Sequence, residues 1–557
     1  MKGDEYLELS TRNFLRNLPV PAPRGEIYSR EGDVIAQDAL SYVVSVVPSD
    51  VADIDNTVNF LSSTLGIPEE MVIEAITDDS APFYYPRHLT EGVPLEKVLK
   101  VKVKEKDYPG VKVEMYPVRE YLKKDVFAHI VGYVQEIDRE ELQSLSLIGY
   151  THGDRIGKTG VEREYEAYLK GVKGERVFRV DASGQDRVLL TETPPKKGNS
   201  LTLTVSSFLQ EKATEVMKEI QGALVIMNPK TGEILSMVSS PTYDPGYFVK
   251  GLTPSVWADW NRRNVLINRA IQGQYQPGST FKPFVGLSAL ESKSLTDRFV
   301  VNCTGSITAG RRTFKCWTYP GGHGNVYMRE ALAVSCNVYF YTVAQEMGIE
   351  TLANYARLYG FGKMTGVDLP GESMGLLPDP IWKMEKKKEV WYSGDTLNTA
   401  IGQGYLLTTP LQMAALYSFL ANGGYAVTPH LVKEIFSPQG DLVYRASHEP
   451  KVVKLSLRNL NIIKDGLRRS VTHGGGLSPL KELPVEVSAK TGTAQTQVGG
   501  RPHLWLITYA PSQDPEVVVV LLAEKSKFDF AYRLTPYMKS TLEAWLEYRA
   551  LSIELER

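Results

Sequence analysis

The chain predicts an α+β protein of two domains, the second an antiparallel sheet flanked by helices and the first an elongated, loop-rich α+β domain. Three observations carry this. At 557 residues the chain exceeds what one hydrophobic core commonly supports. The stretch "TETPPKKGNS", residues 191–200, sets two prolines, two lysines and a glycine between differently patterned halves, as a linker does. In the second half, strand patterns at both ends bracket a helical middle.

The elements follow in chain order. "GEIYSREGDVIA" predicts a hairpin turning at Glu31-Gly32, and "SYVVSVVPSD" a strand. Residues 50–125 mix a short helical pattern with charged turns. After the linker come a strand in "SLTLTVSS", an amphipathic helix over Phe208–Ile220, and a hairpin in "GALVIMNPKTGEILSMVSS" that turns at Asn228–Gly232. The middle, about 250–480, contains helices such as "TTPLQMAALYSFLANGG", ended by glycine. "VEVSAKTGTAQT", "HLWLITYA" and "EVVVVLLAEK" predict three more strands, and a C-terminal helix carries Leu542, Trp545, Leu546 and Tyr548. Both ends of this domain are expected in one antiparallel sheet.

Composition narrows the function. Hydrophobic residues are 43%, charged residues 23% and net charge −2, which excludes a disordered chain and a strongly basic nucleic-acid binder. The longest apolar run, Val517–Ala523, is far short of the ~20 residues of a membrane helix and predicts a buried strand. The opening "MKGDEYLELSTRNFLRN" lacks the apolar core of a signal peptide.

The chemistry begins at "PGSTFKPF", residues 277–284. Pro283 lacks an N–H, which costs little in a first helical turn, so a helix is expected to begin near Ser279. Lys282 returns to the same face one turn on. A serine hydroxyl needs a neighbouring base, and a lysine serves as one if burial or a nearby cation lowers its pKa from ~10.4. Ser-x-x-Lys alone occurs about twice by chance in such a chain. Ser335-Cys336-Asn337 and Lys490-Thr491-Gly492-Thr493 follow it in order, and the Lys-Thr-Gly core is expected only ~0.1 times.

These three motifs in this order match the Ser-x-x-Lys, Ser-x-Asn, Lys-Thr-Gly set of penicillin-binding proteins and serine β-lactamases. "NRAIQGQYQPGSTFKPF", "GDTLNTAIGQGYLLTTPLQMA" and "AKTGTAQ" resemble the transpeptidase domain of class B penicillin-binding proteins. "PAPRGEIYSREGDVIAQD" and "GKTGVEREYEAYLKG" resemble their non-catalytic pedestal, and the likeness is strongest to the cell-elongation group, penicillin-binding protein 2. The resemblance implies a dimerisation-type pedestal over 1–200, with a head insertion about 50–125, and a penicillin-binding, β-lactamase-like transpeptidase domain over 201–557.

It also implies a serine acyl-enzyme mechanism without a catalytic cofactor, inhibited by β-lactams. Ser279 would attack the penultimate D-alanine carbonyl of a peptidoglycan stem peptide while Lys282 takes its proton. Ser335 would relay the proton, Asn337 hold the substrate amide, and Lys490, Thr491 and Thr493, around Gly492, bind the terminal carboxylate. The oxyanion would meet the N–H groups of Ser279 and Thr493. Implied partners are stem peptides and a SEDS-family glycan polymerase, with no nucleic acid. The family is anchored by an N-terminal membrane helix absent from this sequence, and "DEYLELSTRNFLRNLPVPAPRG" resembles the segment just outside the membrane. The expectation is therefore the outer face of the bacterial cytoplasmic membrane, with the sequence truncated or its start misplaced.

Rival functions are a β-lactamase or β-lactam sensor, the septal transpeptidase of the same class, and a non-catalytic polymerase regulator. Length and the pedestal argue against the first, and intact motifs against the last. A lipase reading of "HGGG", residues 473–476, with Gly371–Gly375 is set aside because prolines bracket that elbow. Gly402-Gln403-Gly404 predicts a turn at the site's edge, and "KMEKKK", residues 383–388, a solvated loop face.

All three cysteines lie between the first and second motifs or within the second: Cys303, Cys316 and Cys336, with His323 among them. This Cys₃His set suits a closed tetrahedral zinc site, and some penicillin-binding protein 2 members carry similar ligands here. The alternative is a Cys303–Cys316 disulfide, with Cys336 a small buried residue.

Overall fold

The computed structural model describes residues 15–79, 82–91, 93–180, 187–473, 475–496 and 500–555. The opening segment through residue 14 and Gly474 of "HGGG" lie outside them. The chain forms two compact units: Met1–Leu203 with Tyr243–Asp259 and Lys433–Arg445, and Thr204–Thr242 with Trp260–Val432 and Ala446–Arg557.

In the first unit the expected hairpin forms between strands Ile27–Tyr28 and Val34–Val46. The long strand then pairs antiparallel with Val111–Tyr121, from Ala36 opposite Tyr121 to Val46 opposite Val111. Three helices, Ile54–Leu65, Glu69–Thr77 and Leu95–Lys104, form where one short helical pattern was expected over 50–125. Their buried Val58, Leu61, Val72, Ile76, Val98 and Val101 join Val44, Val46, Val111 and Val113 in one core. The motifs at 21–38 and 157–171 meet in a buried ion-pair network. Glu162 accepts from Arg24 at 2.7 Å and from Arg119 at 2.6 Å, and Arg119 also reaches Asp38 at 3.1 Å. Burial opposes ionisation of Glu162, yet the two guanidiniums hold its carboxyl below the ordinary range.

The segment expected as a linker is partly ordered by pairing: Arg187–Thr193 is a strand and Lys196 bridges Val172. Its prolines, Pro194 and Pro195, sit just past the strand, where no ladder N–H is needed.

The second unit is built on five antiparallel strands: β1 (Gly222–Met227), β2 (Ile234–Ser240), β3 (Ser488–Ala494), β4 (His503–Ala510) and β5 (Val517–Ala523). Their spatial order is β2-β1-β5-β4-β3, so the two ends of the domain do share one sheet. β5 is buried at every residue, as its unbroken apolar run requires of a central strand. Helices α1 (Ser207–Met217) and α5 (Thr535–Leu555) supply Leu209, Ala213, Met217, Met538, Leu542 and Trp545 to a core with Leu224, Val519, Leu521 and Leu506. Fully burying such side chains stabilises by roughly 1.5–3 kcal/mol each.

Helices α2 (Lys282–Glu291), α3 (Asn337–Met347) and α4 (Pro410–Ala421) complete this description. α4 is buried almost all round, packs against β1 and β5, and starts with a capping box between Thr409 and Gln412. The "KMEKKK" run departs from its expected place on a solvated loop. All but Lys388 lie in a helix, Pro380–Lys387, and residues 384–388 are exposed as expected, but Lys383 is buried and donates to Asp395 at 2.7 Å. Asp379 caps that helix through the N–H of Trp382, a start signal that the lysine run obscured. Among the described residues no helix is long and apolar enough to cross a membrane.

Candidate active site

Ser279 lies in a single 3₁₀ turn, Gly278–Phe281, and α2 starts only at Lys282. The α-helix thus begins three residues later than expected, and Pro283 stands in its first turn, where its missing N–H is harmless. The turn is held from several sides. Tyr417 Oη donates to the carbonyl of Thr280 at 2.9 Å and Trp505 Nε1 to that of Gln276 at 2.9 Å. Gly278 N–H donates to the carbonyl of Gly402 at 2.8 Å.

Glycines make this packing possible. Gly278 has φ +56°, and a Cβ there would come within 3.0 Å of the Thr493 carbonyl. A Cβ on Gly402, at φ +71°, would lie 2.0 Å from the carbonyl oxygen of Gly278, and one on Gly492 would lie 2.6 Å from that of Pro277. The serine turn is therefore packed directly on strand β3. Because β3 is the sheet's edge strand, one rim of its backbone has no strand partner among the described residues.

Lys282 is 0% exposed. Its Nζ donates to the Ser335 carbonyl at 2.8 Å, Ser335 Oγ at 3.2 Å and Asn337 Oδ1 at 2.7 Å. Lys490 Nζ donates to the same Ser335 Oγ at 2.9 Å. Burial pushes the Lys282 ammonium down to about 8, with Cys316 and Cys336 pulling the other way. Burial and the charge of Lys282 hold Lys490 well below the ordinary lysine range. Ser335 adopts φ +54°, a left-handed conformation that costs a non-glycine residue roughly 1–2 kcal/mol. It is kept there by the N–H of Cys336 on the Ala331 carbonyl at 2.9 Å and by the start of α3 at Asn337.

A cavity of about 980 Å³ is lined by Ser279, Ser335, Asn337, Lys490, Thr491 and Thr493. The three motifs, far apart in sequence, thus converge on one space, with Lys282 buried in its wall. Sequence reasoning missed further residues lining the cavity: Phe314, Lys315, Trp317, Phe530 and Tyr532. Their segments are short and irregular, so no periodic pattern marks them. The set-aside elbow is a loop: Ser373 N–H donates to the Ile271 carbonyl at 2.9 Å, and Glu372 accepts from Thr365 N–H at 2.7 Å.

Behind the second motif lie Cys303, Cys316, His323 and Cys336, whose ligand atoms are all within 4.8 Å of one another. The three thiols are free and buried. His323 Nδ1 lies 3.7 Å from Cys303 Sγ and 3.6 Å from Cys316 Sγ. Tetrahedral zinc, with Zn–S of about 2.3 Å, needs ligand spacings of about 3.5–3.8 Å; the two His323–cysteine spacings meet this, and the four residues could hold a metal ion. The N–H groups of Asn337 and Tyr339 point at Cys316 Sγ and Cys336 Sγ, each at 3.4 Å, which favours thiolates at the α3 N-terminus. The hydrogen bond between the two thiols pulls Cys316 below the ordinary thiol range and pushes Cys336 above it, since the pair shares one proton.

Comparison with known proteins places this architecture. Residues 222–540 match the penicillin binding protein transpeptidase domain, and residues 19–203 the penicillin-binding protein dimerisation domain. The peptidoglycan D,D-transpeptidase MrdA of Acinetobacter baumannii is 33% identical over 94% of this chain and 80% of its own length. The MrdA of Escherichia coli K12 is 31% identical over 93% of this chain and 86% of its own. Among solved structures, Helicobacter pylori penicillin-binding protein 2 in complex with MreC superposes with a TM-score of 0.83 at 28% identity, covering 96% of this chain and 99% of that one. Pseudomonas aeruginosa penicillin-binding protein 2 gives a TM-score of 0.72 at 29% identity over 95% of this chain and 97% of that one. The motifs, the cavity they enclose and these likenesses agree, and the chain belongs to the penicillin-binding protein transpeptidase family, in its penicillin-binding protein 2 group.

Proposed function

We propose that this protein is the peptidoglycan D,D-transpeptidase of cell elongation, with Ser279 as its nucleophile. Ser279 Oγ attacks the carbonyl of the penultimate D-alanine of a stem peptide. An O–C ester bond forms, the D-Ala–D-Ala amide C–N bond breaks, and D-alanine leaves as a free amine carrying the proton. Lys282 takes the serine proton, and Ser335 and Lys490 pass it to the leaving nitrogen. Asn337 holds the substrate amide; Thr491 and Thr493, brought close by Gly492, bind the terminal carboxylate with Lys490. The N–H groups of Ser279 and Thr493 receive the oxyanion. An amine of a second stem peptide then attacks the ester, closes the cross-link and frees Ser279. The observation that carries this reading is the convergence of Lys282 and Lys490 on Ser335 Oγ in the wall of the cavity that Ser279 lines.

In this reading residues 1–200 are the pedestal, with its head about 50–125, and residues 201–557 the transpeptidase domain. The protein works at the outer face of the cytoplasmic membrane beside a SEDS-family glycan polymerase. The complex of the H. pylori relative suggests an MreC-like partner as well. Cys303, Cys316, His323 and Cys336 hold zinc, which supplies no step of the reaction but ties the loop before α3 in place. Fluorescent penicillin followed by mass spectrometry of the labelled peptide tests the reading. The label is expected on Ser279 and lost, with the fold intact, in Ser279→Ala; a label elsewhere overturns it.

A further inference from the structure

Between Cys303 and Cys316 the chain makes a hairpin from strands Ser306–Ala309 and Arg312–Lys315, with Ser306 opposite Lys315 and Thr308 opposite Thr313. Strand alternation puts Thr313 and Lys315 on one face and Arg312 and Phe314 on the other. Phe314 roots the hairpin. Its ring meets Tyr341 edge-on at 5.8 Å and lies against Gly394, where a Cβ would come within 3.1 Å of the ring. The backbone of Lys315 is tied to the second motif, since Asn337 Nδ2 donates to its carbonyl at 3.2 Å.

Lys315 is one of the residues that line the cavity, and it is exposed. Its ammonium sits 4.3 Å from the centre of the Tyr319 ring, a seat that fixes a cation and leaves donors free. No carboxylate pairs with it among the described residues. The described lining of the cavity contains two lysines, Lys315 and Lys490, against one carboxylate, Asp529. Lys490 already donates to Ser335 Oγ and to the Thr491 carbonyl at 3.3 Å. Lys315 is thus a placed cation with no internal anion to answer it, in a site whose substrate is a peptide.

We propose that Lys315 is a specificity-determining residue that binds a carboxylate carried by a stem peptide, apart from the terminal carboxylate at Lys490 and Thr493. The proposal rests on the transpeptidase reading of the Ser279 site. The carboxylate can belong to the donor peptide, upstream of the scissile bond, or to the acceptor, and the chemistry at Lys315 is the same. A charge-assisted hydrogen bond at a partly exposed site supports about tenfold discrimination between a carboxylate and its neutral amide. Because Lys315 touches neither Ser279 nor Ser335, its effect is expected in KM and not in kcat.

The test uses the full chain as wild type, Lys315→Gln and Lys315→Arg. Donors are synthetic peptides ending in D-Ala-D-Ala with a free side carboxylate or the matching carboxamide, offered with one acceptor amine. A second series varies the acceptor in the same way with one donor. Wild type is expected to prefer the carboxylate about tenfold in kcat/KM in one of the two series, which identifies the peptide bound. Lys315→Gln is expected to erase that ratio and Lys315→Arg to keep most of it. No carboxylate preference in wild type overturns the proposal, as does a Lys315→Gln loss equal for carboxylate and carboxamide peptides. Failure of the underlying reading looks different: wild type would then neither take a penicillin label on Ser279 nor turn over any of the peptides.

Discussion

Lys490 donates from Nζ to Ser335 Oγ at 2.9 Å, and Lys282 reaches the same oxygen at 3.2 Å. One hydroxyl therefore receives the Nζ atoms of two buried lysines, and both its lone pairs are engaged. Its own proton must point away from both lysines, which is the arrangement a proton relay requires.

Ser335→Ala is expected to slow penicillin acylation by about 10² or more, since both lysines lose a shared acceptor and the relay loses its link. It also leaves buried donors unsatisfied, a cost of roughly 1–3 kcal/mol, with no relief of the left-handed backbone because alanine keeps the Cβ. Stopped-flow acylation and urea unfolding measure the two effects. An unchanged acylation rate would remove Ser335 from the mechanism.

The pH dependence follows from Lys282. Burial pulls its ammonium down to about 8, and in the role proposed for it only the neutral amine can accept the Ser279 proton. Acylation is expected to rise about tenfold per pH unit below that value and to level off above it. The sign for stability agrees. Between about 8 and the ordinary 10.5 the unfolded chain holds a proton that the folded one lacks, so this group's contribution grows with rising pH and is lost as pH falls through about 8. Lys282→Ala is expected to lower acylation by about 10²–10⁴ and to flatten the profile. A pH profile unaltered by that substitution would assign the base to another group.

Metal removal bears on Cys303, Cys316, His323 and Cys336 together. The expected outcome is one zinc per chain, with all three thiols reactive in denaturant without reductant. A chelator is expected to lower the melting temperature and slow acylation at Ser279, because metal binding is coupled to folding and Cys336 separates Ser335 from Asn337. Metal-free protein with a single free thiol would establish the Cys303–Cys316 disulfide in its place.

Gly402 and Gly404 form a matched pair. Both have positive φ, +71° and +72°, so alanine carries a similar conformational cost at each. Only at Gly402 would the added Cβ strike backbone, 2.0 Å from the Gly278 oxygen, whereas at Gly404 the nearest atom is 3.4 Å away. Gly402→Ala is expected to cost at least about 2 kcal/mol more than Gly404→Ala and to cripple acylation by displacing the Ser279 turn. Equal melting temperatures and rates for the two variants would contradict this.

The sequence made the second unit's sheet legible because its strands are long, apolar and bounded by turns, β5 most of all. The convergence of the motifs was legible from residue type and order. Where reading stopped, the cause was local. Lys383 sits in a lysine-rich run, and nothing within that run shows that Asp395 and the aromatic rings of Tyr392 and Tyr405 enclose its ammonium. Phe314 and Lys315 lie on a strand of four residues, too short for alternation to stand out. The 3₁₀ turn at Ser279 was read as α-helix because Pro283 suits the first turn of either.

The strand order β2-β1-β5-β4-β3 also governs how the protein comes into being. The first hairpin is made early in the domain, yet its permanent neighbour, Val517–Ala523, emerges only after nearly half the chain has followed. Until then β1 keeps a bare hydrogen-bonding edge beside an apolar face, the kind of surface that recruits other chains. A ribosome that stops anywhere before Val517 therefore releases not a smaller enzyme but a sticky fragment. For such a polypeptide, escape from aggregation during biogenesis depends on Val517–Ala523 arriving.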